Sequence, residues 1–320
     1  MNISRRNFVA ASGLAAATAA LAGCGSSSSS SSSAYKIGVV QLTEHSALDA
    51  SNNGFVEALN NSGLDVSIDQ QNAQNDQSAC QTIASKFVGD GVNLIYAIAT
   101  PAAQAAAAAT TDIPIVGCAI TDYAASGLVK DNDKPGGNVT GASDLTPVAE
   151  QIQMMQKVLP NVKKVGLLYC SAESNSDVQI KTAKEELDAL GLSYEEYAVS
   201  SSNEIQSVVE SAVGKVDALY SPTDNTIAAG AAQVGQICKE NKLPFIPGEE
   251  GMCEAGGLFT LSINYTDLGK LAGEMAVKIL KGESKPEDMA IEHLSTSELV
   301  VVKNEEMAEA IGVDLSVLDA

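Results

Sequence analysis

From Tyr35 onward, short apolar runs alternate with longer amphipathic stretches, and this alternation leaves few folds open. Strands are expected at 36–42, 66–70, 94–99, 113–118, 165–170, 193–199, 218–220, 244–246 and 258–263. Helices are expected around 47–61, 77–89, 102–110, 147–159, 177–190, 204–213, 226–241 and 267–281. Strands that take turns with helices form parallel sheets covered on both faces. The series is interrupted by the polar, Gly- and Pro-rich stretch 131–141 and restarts at Val165. The reading is therefore an α/β fold of two similar doubly wound parallel-sheet lobes joined by crossing segments. Lobe 1 is expected over 35–142 with part of the 264–292 tail, and lobe 2 over 143–263 with the 293–320 tail.

The residues before Tyr35 read differently. Arg5 and Arg6 precede a weakly apolar Ala- and Leu-rich stretch that ends in Leu21-Ala22-Gly23-Cys24, the pattern of a signal peptide over 1–23. Val9 to Gly23 is too short for a membrane span of about 20 residues. Ser4-Arg5-Arg6-Asn7-Phe8-Val9 is similar to a twin-arginine export motif, with general secretory export the alternative. Leu-Ala-Gly-Cys resembles a lipobox, which makes Cys24 the expected lipidation site and the lipid the anchor to the outer face of the cell membrane. Gly25 and eight serines follow, so 24–34 is expected to act as a flexible tether reaching about 15–20 Å.

Charge narrows the partners. The 320 residues hold 40 Asp and Glu against 19 Lys and Arg, a net charge of −21. A surface this acidic repels phosphate backbones, so nucleic acid is not an expected partner. Arg5 and Arg6 are the only arginines; cleavage before Cys24 takes −21 to −23 and leaves no arginine at all. Five cysteines remain after Cys24, at 80, 118, 170, 238 and 253, with no C-x-x-C and no nearby His. No metal and no cofactor is expected, and the spacing does not say whether any of the five pair.

In doubly wound sheets, ligands sit beyond the carboxyl ends of the strands. The residues there are Thr43-Glu44-His45, Thr100-Pro101, Thr121-Asp122-Tyr123, Ser171 to Asn175, Pro222 to Asn225, Glu249-Glu250 and Asn264-Tyr265. No nucleophile elbow, P-loop, G-x-G-x-x-G after the first strand or H-E-x-x-H is present, so no catalytic residue is expected. Of the two histidines, His45 stands at the end of the first strand, where it could touch a ligand, and His293 lies in the late tail. Without an arginine fork, a bound carboxylate must rest on helix N-terminal amides and hydroxyls. Acidic turns at Asp122, Asp224 and Glu249 suit an ammonium. Together these describe a site for an α-amino acid.

Six stretches carry a resemblance: YKIGVVQLTEHSALD, ATPAAQ, GGNVTGASDLTP, LYSPTDNTIA, PGEEGM and INYTDLGKLAGEMAVKILKG. With them the chain resembles the substrate-binding lipoproteins of ABC importers of the tryptophan/tyrosine type. The resemblance runs from Tyr35 to about Gly282. It implies the type I periplasmic-binding-protein fold, a Venus-flytrap that closes on an aromatic or large apolar amino acid and presents it to a permease and its ATPase. It implies a monomer, and ligand contacts at Glu44, Thr100, Pro101, Thr121, Asp122, Ser143, Asp144, Asn175, Thr223, Asp224, Asn225, Glu249 and Tyr265. Within that set Asp224 is expected to meet the ammonium, and Ser143, Thr100 and backbone amides the carboxylate. Thr121-Asp122-Tyr123 departs from the Thr-Asp-Pro frequent in the family, which makes Tyr123 a candidate to stack on an aromatic ligand or narrow the pocket. Three rival readings remain: a sugar or nucleoside binder, a sensory module of the same fold, and a hydrolase using Glu44 or Asp224 as base.

Overall fold

The computed structural model describes residues 35–319; the expected signal peptide, Cys24 and the serine tether lie outside the described residues. The chain opens with β1 (Tyr35–Gln41), α1 (Ser46–Asn61), β2 (Val66–Asn72), α2 (Gln77–Asp90), β3 (Leu94–Ile98), α3 (Thr100–Ala109), β4 (Ile115–Ile120) and β5 (Val139–Ser143). Local chemistry sets the bounds. Asp76 starts α2 by accepting from the Ser78 and Ala79 amides, and Gly91, at φ 61°, ends it. Pro101 occupies the first turn of α3, where its missing N–H costs no helical bond.

The second series runs α4 (Val148–Val158), β6 (Lys164–Cys170), α5 (Ser174–Ala189), β7 (Ser193–Val199), α6 (Ile205–Ala212), β8 (Ala218–Ser221), α7 (Asn225–Ala229), α8 (Ala231–Glu240), β9 (Phe245–Pro247), α9 (Glu250–Gly256) and β10 (Phe259–Ser262). The single helix expected over 226–241 is two, divided at Gly230. A Cβ there would stand 2.5 Å from the Ile205 side chain, so α6 approaches closely where the helices break. The chain ends with α10 (Tyr265–Leu280), β11 (Glu292–His293), β12 (Val300–Lys303) and α11 (Glu305–Ile311).

Two parallel sheets result, in the orders β11-β5-β4-β3-β1-β2 and β7-β6-β8-β9. The late segment brings one antiparallel pair, β10 with β12, which the all-parallel expectation does not contain. One core forms around β1, β3, β4, α1 and α10, and the second sheet carries two further clusters on its faces. The chain passes between the sheets after β5, after β10 and after β11. Two expected boundaries shift: Ser143 and His293, assigned from sequence to lobe 2, pair with each other on the edge of the first sheet. Phe55 on α1 stacks on Tyr96 of β3, ring centroids 3.6 Å apart, and clamps α1 onto that sheet.

Candidate functional site

Strand order reverses between β1 and β3 in the first sheet and between β6 and β8 in the second. Loops leaving the carboxyl ends at such points diverge and make a crevice. Here the two crevices face each other across a small cavity. Its first wall is His45, Ala47 and Leu48 at the start of α1, Ala119 and Thr121 after β4, Asp144 after β5, and Tyr265 at the start of α10. The second wall is Asn175 on α5, Thr223, Asp224, Asn225 and Ala228 after β8, and Glu249 after β9. Backbone strain marks the first wall at Ala119, which adopts φ 55° without being a glycine, as does Ala99 before α3 at φ 82°. At Ala119 the register between β4 and β5 slips, which turns the chain toward the cavity at Thr121.

No lysine or arginine lines the cavity, but three carboxylates do. Asp144 accepts from the Tyr265 hydroxyl at 3.1 Å and from Thr121 Oγ1 at 3.4 Å; burial raises its carboxyl to about 6. Glu249 accepts from the amides of Gly251 and Met252, both at 2.6 Å, and so caps α9. Burial raises it to about 7, with the charges of Glu250 and Asp144 adding to the effect. Asp224 is raised by burial and then by Glu173. Its Oδ2 accepts from the Cys170 amide and Ser176 Oγ, and its Oδ1 from the Ile227 amide.

The lobes are held shut by polar bridges. Gln179 Nε2 donates to Thr223 Oγ1 of the second wall at 2.7 Å and to Thr121 Oγ1 of the first at 3.2 Å. Asn75 Nδ2 donates to Thr226 Oγ1 at 3.1 Å, and His45 Nε2 lies 3.3 Å from Asn225 Oδ1.

The structure brings eight of the expected residues together on the cavity wall: Thr121, Asp144, Asn175, Thr223, Asp224, Asn225, Glu249 and Tyr265. The other five stand elsewhere. Glu44 is exposed on the turn before α1. Thr100 and Pro101 are buried in the first turn of α3 and do not line the cavity, although Thr100 Oγ1 has no partner. Asp122 closes its own turn by accepting from the Ala124 and Ala125 amides and from Asn132. Ser143 donates to the Thr121 carbonyl at 2.7 Å. Tyr123 neither stacks in the cavity nor narrows it: it is fully buried and donates to the Ala142 carbonyl. Asp224 is on the wall, but both its oxygens already serve the protein. The expected set lacks His45, Glu173 and Gln179. Asn175 and Gln179 share a face of α5 four residues apart, a signal the sequence holds; nothing in it ties Glu173 to Asn225 and Thr226.

Of the described cysteines, all five are free and buried. Among the described residues, no group of three or more His, Cys, Asp or Glu side chains is placed to hold a metal.

The family described as ABC transporter substrate binding protein matches residues 36–318. A tyrosine-binding protein of Clostridioides difficile (strain R20291) is 41% identical over 279 residues, 86% of this chain and 80% of the relative. An ABC domain from Streptococcus pneumoniae, solved in complex with L-Trp, superimposes with a TM-score of 0.86 at 41% identity, covering 90% of this chain and 98% of the other. The ligand-free, open structure of a substrate binding protein with adhesive properties from Clostridium difficile gives only 0.67, although identity is 44% and coverage is 88% and 95%. The better match to the liganded structure agrees with the bridges across the cavity: the chain is in a closed arrangement.

Proposed function

Because the chain belongs to the family of ABC transporter substrate binding proteins, we propose that its cavity takes an aromatic amino acid, outside the cytoplasm, for delivery to an ABC permease. The observation that carries this reading is a closed cavity between two lobes, lined by buried carboxylates and by no cation. Asp144 and Glu249 are the partners for the ligand ammonium: burial holds both above their ordinary range, and a neighbouring positive charge restores their ionised form. The ligand carboxylate rests on hydroxyls and main-chain amides, with no arginine in the described chain to pair with it. Two relatives, one named for tyrosine and one holding L-Trp, support an aromatic side chain. Closing of the lobes shields the ligand and shapes the surface a permease reads, and opening at the permease releases it.

Cys24 is proposed to carry the lipid that holds the chain at the membrane surface. Among the described residues no helix is long and apolar enough to cross a membrane. Calorimetric titration against the twenty amino acids tests the central reading. Binding of tyrosine or tryptophan is expected; no amino acid binding tighter than about 100 µM would overturn it. Incorporation of labelled fatty acid that is lost in Cys24→Ala tests the anchor.

A further inference from the structure

Glu173, between β6 and α5, lies behind the cavity wall and is 3% exposed. Every hydrogen-bond partner of its carboxylate is a donor. Oε1 accepts from the Thr226 amide and Oγ1, both at 2.8 Å. Oε2 accepts from the Asn225 amide at 3.1 Å, from Asn225 Nδ2 at 2.6 Å and from Asn175 Nδ2 at 3.3 Å. A carboxylate oxygen offers lone pairs and no hydrogen, so both asparagines must turn their NH₂ groups toward it.

Two consequences reach the cavity. Asn175, with its NH₂ group on Glu173 and the Thr223 carbonyl, is left with a buried Oδ1 that has no partner. Asn225 presents Oδ1 to His45, so the nitrogen facing it, Nε2, must carry the hydrogen. In a neutral ring Nδ1 is then a bare lone pair, and it too is shielded from solvent without a partner. Burial, the largest influence on His45, keeps the ring neutral by lowering its pKa, against the opposing pull of Asn225, Glu173 and Asp49. His45 and Asn175 both line the cavity, and each carries a buried acceptor that no donor of the protein meets. A buried acceptor without a donor costs free energy that the ligand can recover.

We propose that His45 Nδ1 accepts the one hydrogen that a phenol or an indole on the ligand's side chain can donate, and that this bond selects either over a bare aromatic ring. Glu173 acts as the positioning residue that orients both acceptors. The inference rests on the amino-acid reading above and adds to it a determinant of side-chain choice. Ala47, Leu48 and Ala228 give this part of the wall apolar surface for the ring.

Titration calorimetry on the full chain tests it with two ligand pairs that differ only in the donor: tyrosine against phenylalanine, and tryptophan against 3-benzothienylalanine, in which sulfur replaces the indole N–H. At neutral pH the donor-bearing member is expected to bind about tenfold or more tightly. In His45→Leu that ratio is expected to fall toward one while the donor-free member still binds, which also certifies the fold. Only two histidines exist, so the imidazole ¹⁵N spectrum of the wild type is simple to assign. It is expected to show a neutral Nε2–H ring at position 45 whose Nδ1 resonance moves upfield with ligand. Equal affinities within both pairs, an undiminished ratio in His45→Leu, or an Nδ1–H ring would each overturn the proposal. If neither member of either pair binds, the amino-acid reading itself falls, and this inference with it.

Discussion

Both oxygens of Asp224 are engaged within the second lobe, on the Cys170 amide, Ser176 Oγ and the Ile227 amide, so its first duty is to hold the start of α7 in place. Asp224→Ala strands those buried donors at about 1–3 kcal/mol each. The expected outcome is a lower melting temperature in the ligand-free protein, read by circular dichroism; an unchanged melt would return Asp224 to the role of ligand contact alone. Asp144 is the contrasting case, since its partners are two hydroxyls that an amide oxygen also satisfies. Asp144→Asn is expected to keep the ligand-free melt while weakening amino-acid binding about tenfold or more, because the charge facing the ammonium is gone. The cysteines are inert for a simple reason. Burial pushes Cys80 up to about 11 and Cys118 and Cys238 up to about 12, and raises Cys170 and Cys253 as well. Thiolate is the reactive form, so a thiol-specific reagent is expected to label none of these five in the native protein and all five after unfolding. Composition indicates buried cysteines but leaves their pairing open, because distance between cysteines is a property of the fold.

At the scale of elements, the contact between α1 and α10 decides most about the site. The two helices are more than two hundred residues apart in sequence, yet their backbones meet at glycines. A Cβ on Gly54 would stand 2.0 Å from the Thr266 carbonyl oxygen, and one on Gly269 2.0 Å from that of Ser51. This close approach sets His45, before the first turn of α1, and Tyr265, in the first turn of α10, against the same cavity. Gly269→Ala is expected to cost about 1–3 kcal/mol and lower the melting temperature by several degrees, because a carbonyl in a packed helix cannot yield cheaply. A melt equal to wild type would show that the helices can part without loss. Helical periodicity announces both helices but not their pairing. It also runs across Gly230, where α7 stops and α8 begins beside the Ile205 side chain.

For the whole molecule, closure gathers Asp144, Glu249 and Asp224 around one small cavity without a cation. Each is held above its ordinary pKa by burial, so between about pH 4 and pH 7 these three groups bind more protons in the folded, closed chain than in the unfolded one. Their contribution is therefore complete at acid pH and declines as pH rises through the folded values near 6 and 7. The ligand-free melting temperature is expected to fall from pH 5 to pH 8, and a saturating amino acid to flatten that fall by supplying the positive charge. A free-protein melt that rises over this range would refute the linkage. Most strands and helices, the two-lobe plan, the missing arginine and most of the cavity wall were readable in the sequence; β5, at the end of the stretch read as an interruption, and the division of α7 from α8 were not. Periodicity, composition and the turns at strand ends are local properties, and eight of the thirteen proposed contacts lie on such turns or helix starts that line the cavity. What only the tertiary structure decided is which polar groups remain unspoken for. Asp122, Ser143 and Asp224 look free as sequence but are satisfied by neighbours, whereas His45 Nδ1 and Asn175 Oδ1 are left bare because Glu173 draws the NH₂ groups of Asn225 and Asn175 to itself. Asp122 is met by amides two and three residues on, within reach of a local pattern, but Ser143, Asp224 and Asn225 are met by partners 22 to 54 residues away, which no spacing along the chain encodes.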